Sequence, residues 1–429
     1  MIKGVMIDLK LLREQPEIVR RACEQKNVRV DIDAVLKFDT DRRQLQAKID
    51  DLNRARNEAA KAKDVERGKA LKKESAEVEA KLTEIETALE PLLLKIPNVP
   101  SEDTPVGKDD SENKVLRTVG EPTKFSFKAK DHLALGTALG LINTERAVEV
   151  SGTRFTYLLG DLVLLQNALH QYALSVVTSE ATLKDIAGKA GLKVSTKPFT
   201  PVVPPLMIRP DVFQKMARLE PREERYHLAT DDLFLIGSAE HTLGPLHMGE
   251  TLKEADLPKR YVAFTPAFRR EAGSYGKDTK GILRLHQFDK VEMESFTVAE
   301  DSIAEQNFMV AIQEHLMQGL QLPYRVVITC TGDQGDPDAR HLDIETWMPG
   351  QNLYRETHSA DLMTDYQARR LGTKVKRGKG SEFVHMNDAT VIAIGRTLVA
   401  ILENYQQEDG SITVPEVLRS WVGTDVIHA

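Results

Sequence analysis

Residues 30–97 constrain the fold most, because they carry a hydrophobic stripe and almost nothing else that could fill a core. Phe38 is the sole aromatic there and Gly68 the sole glycine, set in a dense mixture of both charges. Leu45, Ile49, Leu52 and Ala59 follow at steps of 4, 3 and 7, and Val78, Leu82, Ile85, Leu89, Leu92 and Ile96 at alternating 4 and 3. That spacing is a coiled-coil seam, and each seam needs a partner to cover it. The pattern breaks around Asp64–Gly68, which predicts two antiparallel helices joined near Gly68. At 1.5 Å per residue, helices of roughly 30 residues make an arm on the order of 45 Å long. Pro97 and Pro100 end the second helix, and Pro91 marks a point for a kink or fraying.

Charge gathers at the expected tip. Arg54, Arg56, Lys61, Lys63, Arg67, Lys69, Lys72 and Lys73 face only Glu58, Asp64 and Glu66, an excess of about five positive charges. Such an excess suits a phosphate backbone. A solvated coiled-coil surface rich in helix-favouring lysine is the competing reading.

The rest of the composition excludes more than it selects. A chain of 429 residues holds two or three domains. It has no run of eighteen apolar residues, so no membrane span is expected, and Met1–Lys10 lacks the apolar core of a signal peptide. Cys23 and Cys330 are the only cysteines, which suits a reducing cytoplasm and not a disulfide framework or a Cys-rich zinc site. A net charge of -7 argues against a protein that coats nucleic acid nonspecifically. Ser101–Pro122, rich in Pro, Gly and acids without periodicity, reads as a linker and sets the domain boundary.

Beyond it, strand-like runs at Tyr261–Phe268, Ile282–Phe288, Tyr324–Ile328 and His341–Trp347 come in neighbouring pairs. Helical patterns lie at Leu162–Glu180, Ala299–Met317 and Thr397–Tyr405. The pairing predicts an α+β body, an antiparallel sheet with flanking helices. No GxGxxG, GxxxxGK[ST] or GxSxG occurs in a strand–turn–helix setting, so Rossmann and P-loop nucleotide sites are not supported.

Tyr261–Met293, YVAFTPAFRREAGSYGKDTKGILRLHQFDKVEM, reads as a long hairpin whose loop holds Gly273, Gly276 and Gly281 among Arg270, Lys277 and Lys280. It sets Arg269 and Glu271 at one strand end and Arg284 on the return. Guanidinium groups on a rigid sheet suit phosphate, because their donors are planar and paired. Ordinary surface ion pairs are the bland alternative. Glu240, Glu292, Asp343, Glu345 and Glu356 lie at or beside strand-like segments, where acids can hold a divalent metal or a substrate ammonium. The residues alone therefore give a phosphate-binding sheet with acids nearby and a basic-tipped arm, and they leave the chemistry open.

FRREAGSYGKDTKG followed by RLHQFDKVEM, at Phe268–Met293, resembles the second signature motif of class II aminoacyl-tRNA synthetases in its seryl form. The likeness continues through SAEH at Ser238–His241, DIETWMPGQNLYRETHS at Asp343–Ser359 and TDYQARR at Thr364–Arg370. GRTLVAILENYQQEDGSITVPEVLR at Gly395–Arg419, IPNVP at Ile96–Pro100 and MIDLK at Met6–Lys10 also look like this family, so essentially the whole chain is covered. The resemblance implies an N-terminal tRNA-binding domain over 1–110, with its arm at 30–97, and a class II catalytic domain over 111–429. It implies ATP, L-serine, Mg²⁺ and tRNA(Ser) as ligands, with tRNA(Sec) an open further partner. It also implies no zinc, a cytoplasmic homodimer with Pro204 or Pro205 at the interface, and Met6 as the initiator.

Carried over position by position, the resemblance makes Arg269, Glu271 and Arg396 catalytic. It puts serine on Ser238, Ala239, Glu240, Arg269, Glu292 and Thr390, with Ser238 standing where the family has Thr. ATP would meet Arg269, Arg270, Glu271, Arg284, the backbone at Leu285, Phe288, Glu356, Thr357, His358, Ser359 and Arg396. Glu356 and Ser359 would hold the metal. The arm's tRNA contacts would be Arg54, Arg56, Lys61, Lys63, Lys69, Lys72 and Lys73. This chain departs from the pattern at Ala360-Asp361-Leu362, where Cys-Ser-Asn is common, at Asp388, where Asn is common, and at His358, where Ser is common. A carrier-loading paralogue would lack the long arm, and a dead relative would lose Arg269, Glu271 or Arg396; this chain keeps them all. The zinc-dependent seryl type is disfavoured, since Cys23 and Cys330 fall outside the expected pocket.

Overall fold

Two long helices form where the seams predict them. The computed structural model describes residues 7–272 and 281–428, and the chain divides into units at Val99/Pro100. In the first unit α1 (Leu9–Glu14) and α2 (Pro16–Gln25) precede α3 (Ile32–Lys61) and α4 (Val65–Lys95). Asp31 caps α3 by accepting from the Ala34 amide at 2.9 Å, and Asp64 caps α4 by accepting from Arg67 at 3.0 Å. The turn is therefore Ala62–Asp64, with Lys63 left-handed at φ 55°, and Gly68 lies inside α4 instead of at the joint. A carboxylate that satisfies an orphan amide is a stronger helix start than a glycine. Pro91 does not break α4, which runs to Lys95; it removes one hydrogen bond near the helix end. Ile49, Leu52, Val78 and Leu82 close the seam between the helices, while Val19, Ile32, Val35, Leu89, Leu93 and Ile96 form the core at the other end.

The second unit is built on an eight-stranded sheet. Its strands are β1 (Lys114–Val119), β2 (Thr200–Pro201), β3 (Lys259–Phe268), β4 (Gln287–Thr297), β5 (Tyr324–Ile328), β6 (Arg340–Met348), β7 (Leu353–Thr364) and β8 (His385–Ala393). The order is β1-β5-β6-β7-β8-β4-β3-β2, antiparallel except for the short edge pair β2–β3. The α+β expectation matches this sheet, but three local readings change. The supposed linker supplies edge strand β1, paired with β5. The Ile282–Phe288 run is irregular up to His286, and the strand is β4, extending to Thr297. Strands β7 and β8 went unseen. Gly273, Gly276, Lys277 and Lys280 lie outside the described residues.

Helices α5 (Asp161–Val177), α6 (Pro210–Lys215), α7 (Glu240–Leu243), α8 (Ser302–Gly319) and α9 (Ile394–Asn404) complete the parts that matter here. One apolar core joins α5, α8 and α9 to the sheet through residues such as Leu169, Phe308, Ile312, Val391 and Leu398. Along β6, Leu342, Ile344, Thr346 and Met348 are buried while His341, Asp343, Glu345 and Trp347 alternate with them. That alternation gives the sheet a polar face.

Candidate active site

A cleft of about 360 Å³ opens on the polar side of the sheet. Strand register decides which side chains reach it. Glu345 pairs with Glu356 and Ile344 with His358, so Thr357 is an extra residue in a bulge. Residues three apart on a regular strand face opposite ways; the bulge restores both Glu356 and Ser359 to the cleft. Behind them, the α8 side chain Gln313 donates from Nε2 to the carbonyls of Ser359 (2.7 Å) and Thr390 (2.8 Å). This buried amide ties β7 to β8 beneath the site, and the hydroxyls of Ser359 and Thr390 lie 3.2 Å apart.

One wall is cationic. At the end of β3, the Arg269 amide donates to the His286 carbonyl and its Nε to the Gly237 carbonyl, each at 3.0 Å. Its guanidinium stands 5.3 Å from the Phe288 ring centroid. Glu271 is left-handed at φ 52° and accepts from Arg284 Nη1 at 2.5 Å. Arg396, in the first turn of α9, holds Glu356 at 2.9 Å. Burial alone would raise Glu356, yet the charge and hydrogen bond of Arg396, with His341 and Arg269 beyond, bring it down to about 2.

The opposite end is acidic. Arg218 Nε lies 3.3 Å from Glu240 Oε1, and His241 Nε2 lies 3.4 Å from the same oxygen. Burial opposes ionisation of Glu240, but Arg218, then His241, hold it well below the usual carboxylate range. Lys290 Nζ stands 2.5 Å from Glu292 Oε2. Burial, against the pull of Lys290, and the nearby Glu240 push Glu292 up to about 7. His341 sits between Asp361, on Nδ1, and Asp343, 2.8 Å from Nε2; burial disfavours its cation, but the two carboxylates hold it protonated well above the ordinary range.

Of the residues expected at the site, Glu240, Arg269, Glu271, Arg284, Leu285, Phe288, Glu356, Ser359, Thr390 and Arg396 line this one cleft. Glu292 lies close by, its carboxylate within 4.8 Å of oxygens of Glu240 and Asp388. Ser238 is fully buried, with a hydroxyl that has no hydrogen-bond partner among the described residues, and Ala239 packs with Leu243 and Ala263. Arg270 turns onto the Tyr226 ring, 5.8 Å from its centroid. Thr357 bonds Thr346 (2.7 Å), and His358 Nδ1 bonds Thr357 (2.9 Å), so neither side chain lines the cleft. Arg218, Lys290, Asp338 and Asp361 line it without having been singled out as site residues. Arg218 and Asp338 come from irregular segments with no periodicity to point them out.

Two family models match the chain. The seryl-tRNA synthetase N-terminal domain covers residues 6–100, and the tRNA synthetase class II core domain (G, H, P, S and T) covers 225–405. A serine–tRNA ligase of Fervidobacterium nodosum is 40% identical over 98% of this chain and 99% of its own. The chain belongs to the seryl-tRNA synthetase family. Among solved structures, a seryl-tRNA synthetase of Pyrococcus horikoshii complexed with ATP matches with a TM-score of 0.88 at 36% identity, over 99% of both chains. A cytoplasmic serine–tRNA ligase of Naegleria fowleri in complex with AMP matches at 0.85 and 31%, again over 99% of each. Seryl-tRNA synthetase architecture thus accounts for both units: the paired helices α3 and α4, and the antiparallel class II sheet that carries the cleft.

Proposed function

We propose that this protein activates L-serine with ATP and transfers the seryl group to tRNA(Ser). The observation that carries the reading is one cleft with arginines on one wall and ionised Glu240 at the other end. A zwitterion bridges those ends, its carboxylate toward Arg269 and its ammonium toward Glu240. In the first step a serine carboxylate oxygen attacks the α-phosphorus of ATP, forming a C–O–P linkage, and the bond to the bridging oxygen breaks as pyrophosphate leaves. No protein nucleophile is needed; in-line placement and stabilised charge supply the rate. The tRNA 3′-terminal hydroxyl then attacks the acyl carbon, and AMP departs.

Arg269 holds the reacting carboxylate and α-phosphate, and Arg284, fixed by Glu271, meets phosphate. Adenine would stack on the Phe288 face that Arg269 does not cover, with Arg396 beyond it. Glu292 and Thr390 serve the serine hydroxyl. Glu356 is ionised and faces the cleft beside the Ser359 hydroxyl, a hard-oxygen pair that suits Mg²⁺. Bound there with ATP, the ion would neutralise phosphate charge.

The first unit takes the tRNA. Arg56, Lys61, Lys63, Lys72 and Lys73 make no ion pair among the described residues, leaving their charge for phosphate, whereas Arg54 pairs with Asp51 and Lys69 with Glu66. A homodimer is part of the same reading: Val203 is 96% exposed, with Leu159, Val163, Leu164 and Met207 also exposed, an apolar set that a second copy would cover. No helix among the described residues is long and apolar enough to cross a membrane, and both cysteines are free, which fits work in the cytoplasm. ATP–pyrophosphate exchange over the twenty amino acids tests the proposal. Serine alone should support strong exchange; equal exchange with threonine or alanine would overturn it, since a pocket built for a hydroxyl leaves acceptors unpaired with alanine.

A further inference from the structure

Arg218 sits just after α6, following Ala217 in a left-handed turn (φ 55°), and its side chain is 15% exposed. Its guanidinium meets carboxylates from four parts of the fold. Nε is 3.3 Å from Glu240 in α7, and Nη2 is 3.2 Å from Asp338 in the loop before β6, 3.3 Å from Asp361 in β7 and 3.8 Å from Asp388 in β8. Asp361 and Asp388 are direct cross-strand partners, and burial with the charges of Glu240 and Asp361 pushes Asp388 well above the usual carboxylate range against the pull of Arg218, the mark of like charges crowded together.

Two side-chain sets in this region are close enough to hold a metal ion, Asp338–His341–Asp361 and the all-carboxylate Glu240–Glu292–Asp388. Arg218 pairs with two members of each. Protonated His341 serves the first set and Lys290 meets Glu292 in the second; Arg218 is the cation that reaches both. Its planar fork can serve several acceptors in fixed directions, as a lysine ammonium cannot. Removing the cation from buried acids leaves uncompensated charge, and they would move apart or take up protons.

We infer that Arg218 is the positioning residue of the amino-acid end of the cleft, its guanidinium clamping Glu240 against the Asp361–Asp388 pair so that Glu240 stays aimed at the substrate ammonium. This rests on the reading of the cleft as a serine site. It acts through Glu240 and does not require Arg218 to touch substrate.

The test is serine-dependent ATP–pyrophosphate exchange, with KM for serine, KM for ATP and kcat measured separately. Arg218→Met should raise the serine KM on the order of 10²-fold while the ATP KM changes by less than about threefold, as expected when one partner of a buried charge set is removed. Arg218→Lys keeps the charge without the fork and should recover part of the loss. Adding Asp361→Asn and Asp388→Asn to Arg218→Met removes the repulsion that Arg218 offsets, so the triple variant should bind serine better than Arg218→Met alone. A merely structural anchor predicts the reverse, because more native interactions are removed. An unchanged serine KM in Arg218→Met, equal rises in both KM values, or a triple variant worse than the single would each overturn the inference. If Arg218→Met does not fold, the lysine variant and the triple variant carry the comparison. Wild-type exchange with serine is read first, and its absence would sink the serine reading itself instead of the role of Arg218.

Discussion

Arg396 and Glu356 are joined twice: Nη1 of the arginine lies 2.9 Å from the glutamate Oε1 and donates at 2.9 Å to its main-chain carbonyl. The second bond fixes the backbone of a bulged strand, and the first leaves the carboxylate ionised at the cleft. Arg396→Ala should therefore do more than remove one group facing the nucleotide, since Glu356 also loses its partner. Exchange should fall on the order of 10²–10³-fold with an altered magnesium dependence. A magnesium titration of both proteins checks this, and an unchanged requirement would separate Arg396 from the metal-binding role.

Arg269→Ala should abolish activation while leaving the fold intact. Among the described residues the guanidinium leans on one carbonyl and one ring, interactions whose removal costs little beside a charge-assisted bond to the reacting phosphate. The loss in exchange rate should be on the order of 10²–10³, with an unchanged circular-dichroism melt. Near-normal exchange would remove Arg269 from its assigned place.

Gln313→Ala tests the scaffold from behind. Gln313 is fully buried, and its removal takes an amide donor from the carbonyls of Ser359 and Thr390 and leaves a void between α8 and the sheet. A destabilisation of about 2–4 kcal/mol follows from the unpaired groups. It should be read by denaturant unfolding, with a raised serine KM because the Ser359 and Thr390 hydroxyls lose their registration. Wild-type stability would mean that the two strands hold each other without the amide.

How legible all this was depends on the kind of order in each segment. The seam of α3 and α4 and the alternation along β6 are periodic, and period is what a sequence displays. Strands β7 and β8 hid because neither alternates: β7 is open over Leu353–Glu356 and mostly buried beyond, β8 is buried along almost its whole length, and they carry polar residues of the cleft, Glu356, Ser359 and Asp361 on one and Thr390 on the other, with Asp388 buried beside it. Their polarity reads as loop until the bulge and Gln313 explain it. Gly68 misled because glycine marks a turn only where no better helix start exists, and Asp64 is one. The resemblance named ten of the residues that line the cleft, but it could not supply Arg218, whose role exists only once four separate segments meet around it.

His241 gives the stability a pH signature. Its Nδ1 accepts from the Gly237 amide at 3.0 Å, so the ring is held neutral with Nε2–H toward Glu240. Burial, only partly offset by Glu240, pushes the imidazole from its ordinary 6.5 down to about 4. In the unfolded chain the ring takes a proton below about 6.5, whereas in the folded protein it resists until about 4. The contribution is therefore fully present above pH 6.5, is lost as pH falls through that window, and levels off below about 4. Its size is on the order of 3 kcal/mol. Melts from pH 7.5 to 4 should show the decline, and His241→Gln should flatten it; an equal decline in the variant would assign it elsewhere.

The two units should separate functionally. The first has its own seam, its own core and the cations Lys61, Lys63 and Lys72, which make no ion pair among the described residues, while every cleft residue belongs to the second. Reversing Lys61, Lys63, Lys69 and Lys72 to glutamate should leave exchange with serine unchanged and weaken tRNA charging. Lys69 should matter least, because it already pairs with Glu66 at 2.9 Å. Every lysine–phosphate pairing removed should flatten the plot of log affinity against log salt by roughly 0.7 to 0.9. Exchange and aminoacylation are to be measured on the same protein across a salt series. Normal charging by the reversed arm would make its tip only a solvated helix surface, and a parallel fall in exchange would mean that the arm supports the catalytic unit as well as tRNA.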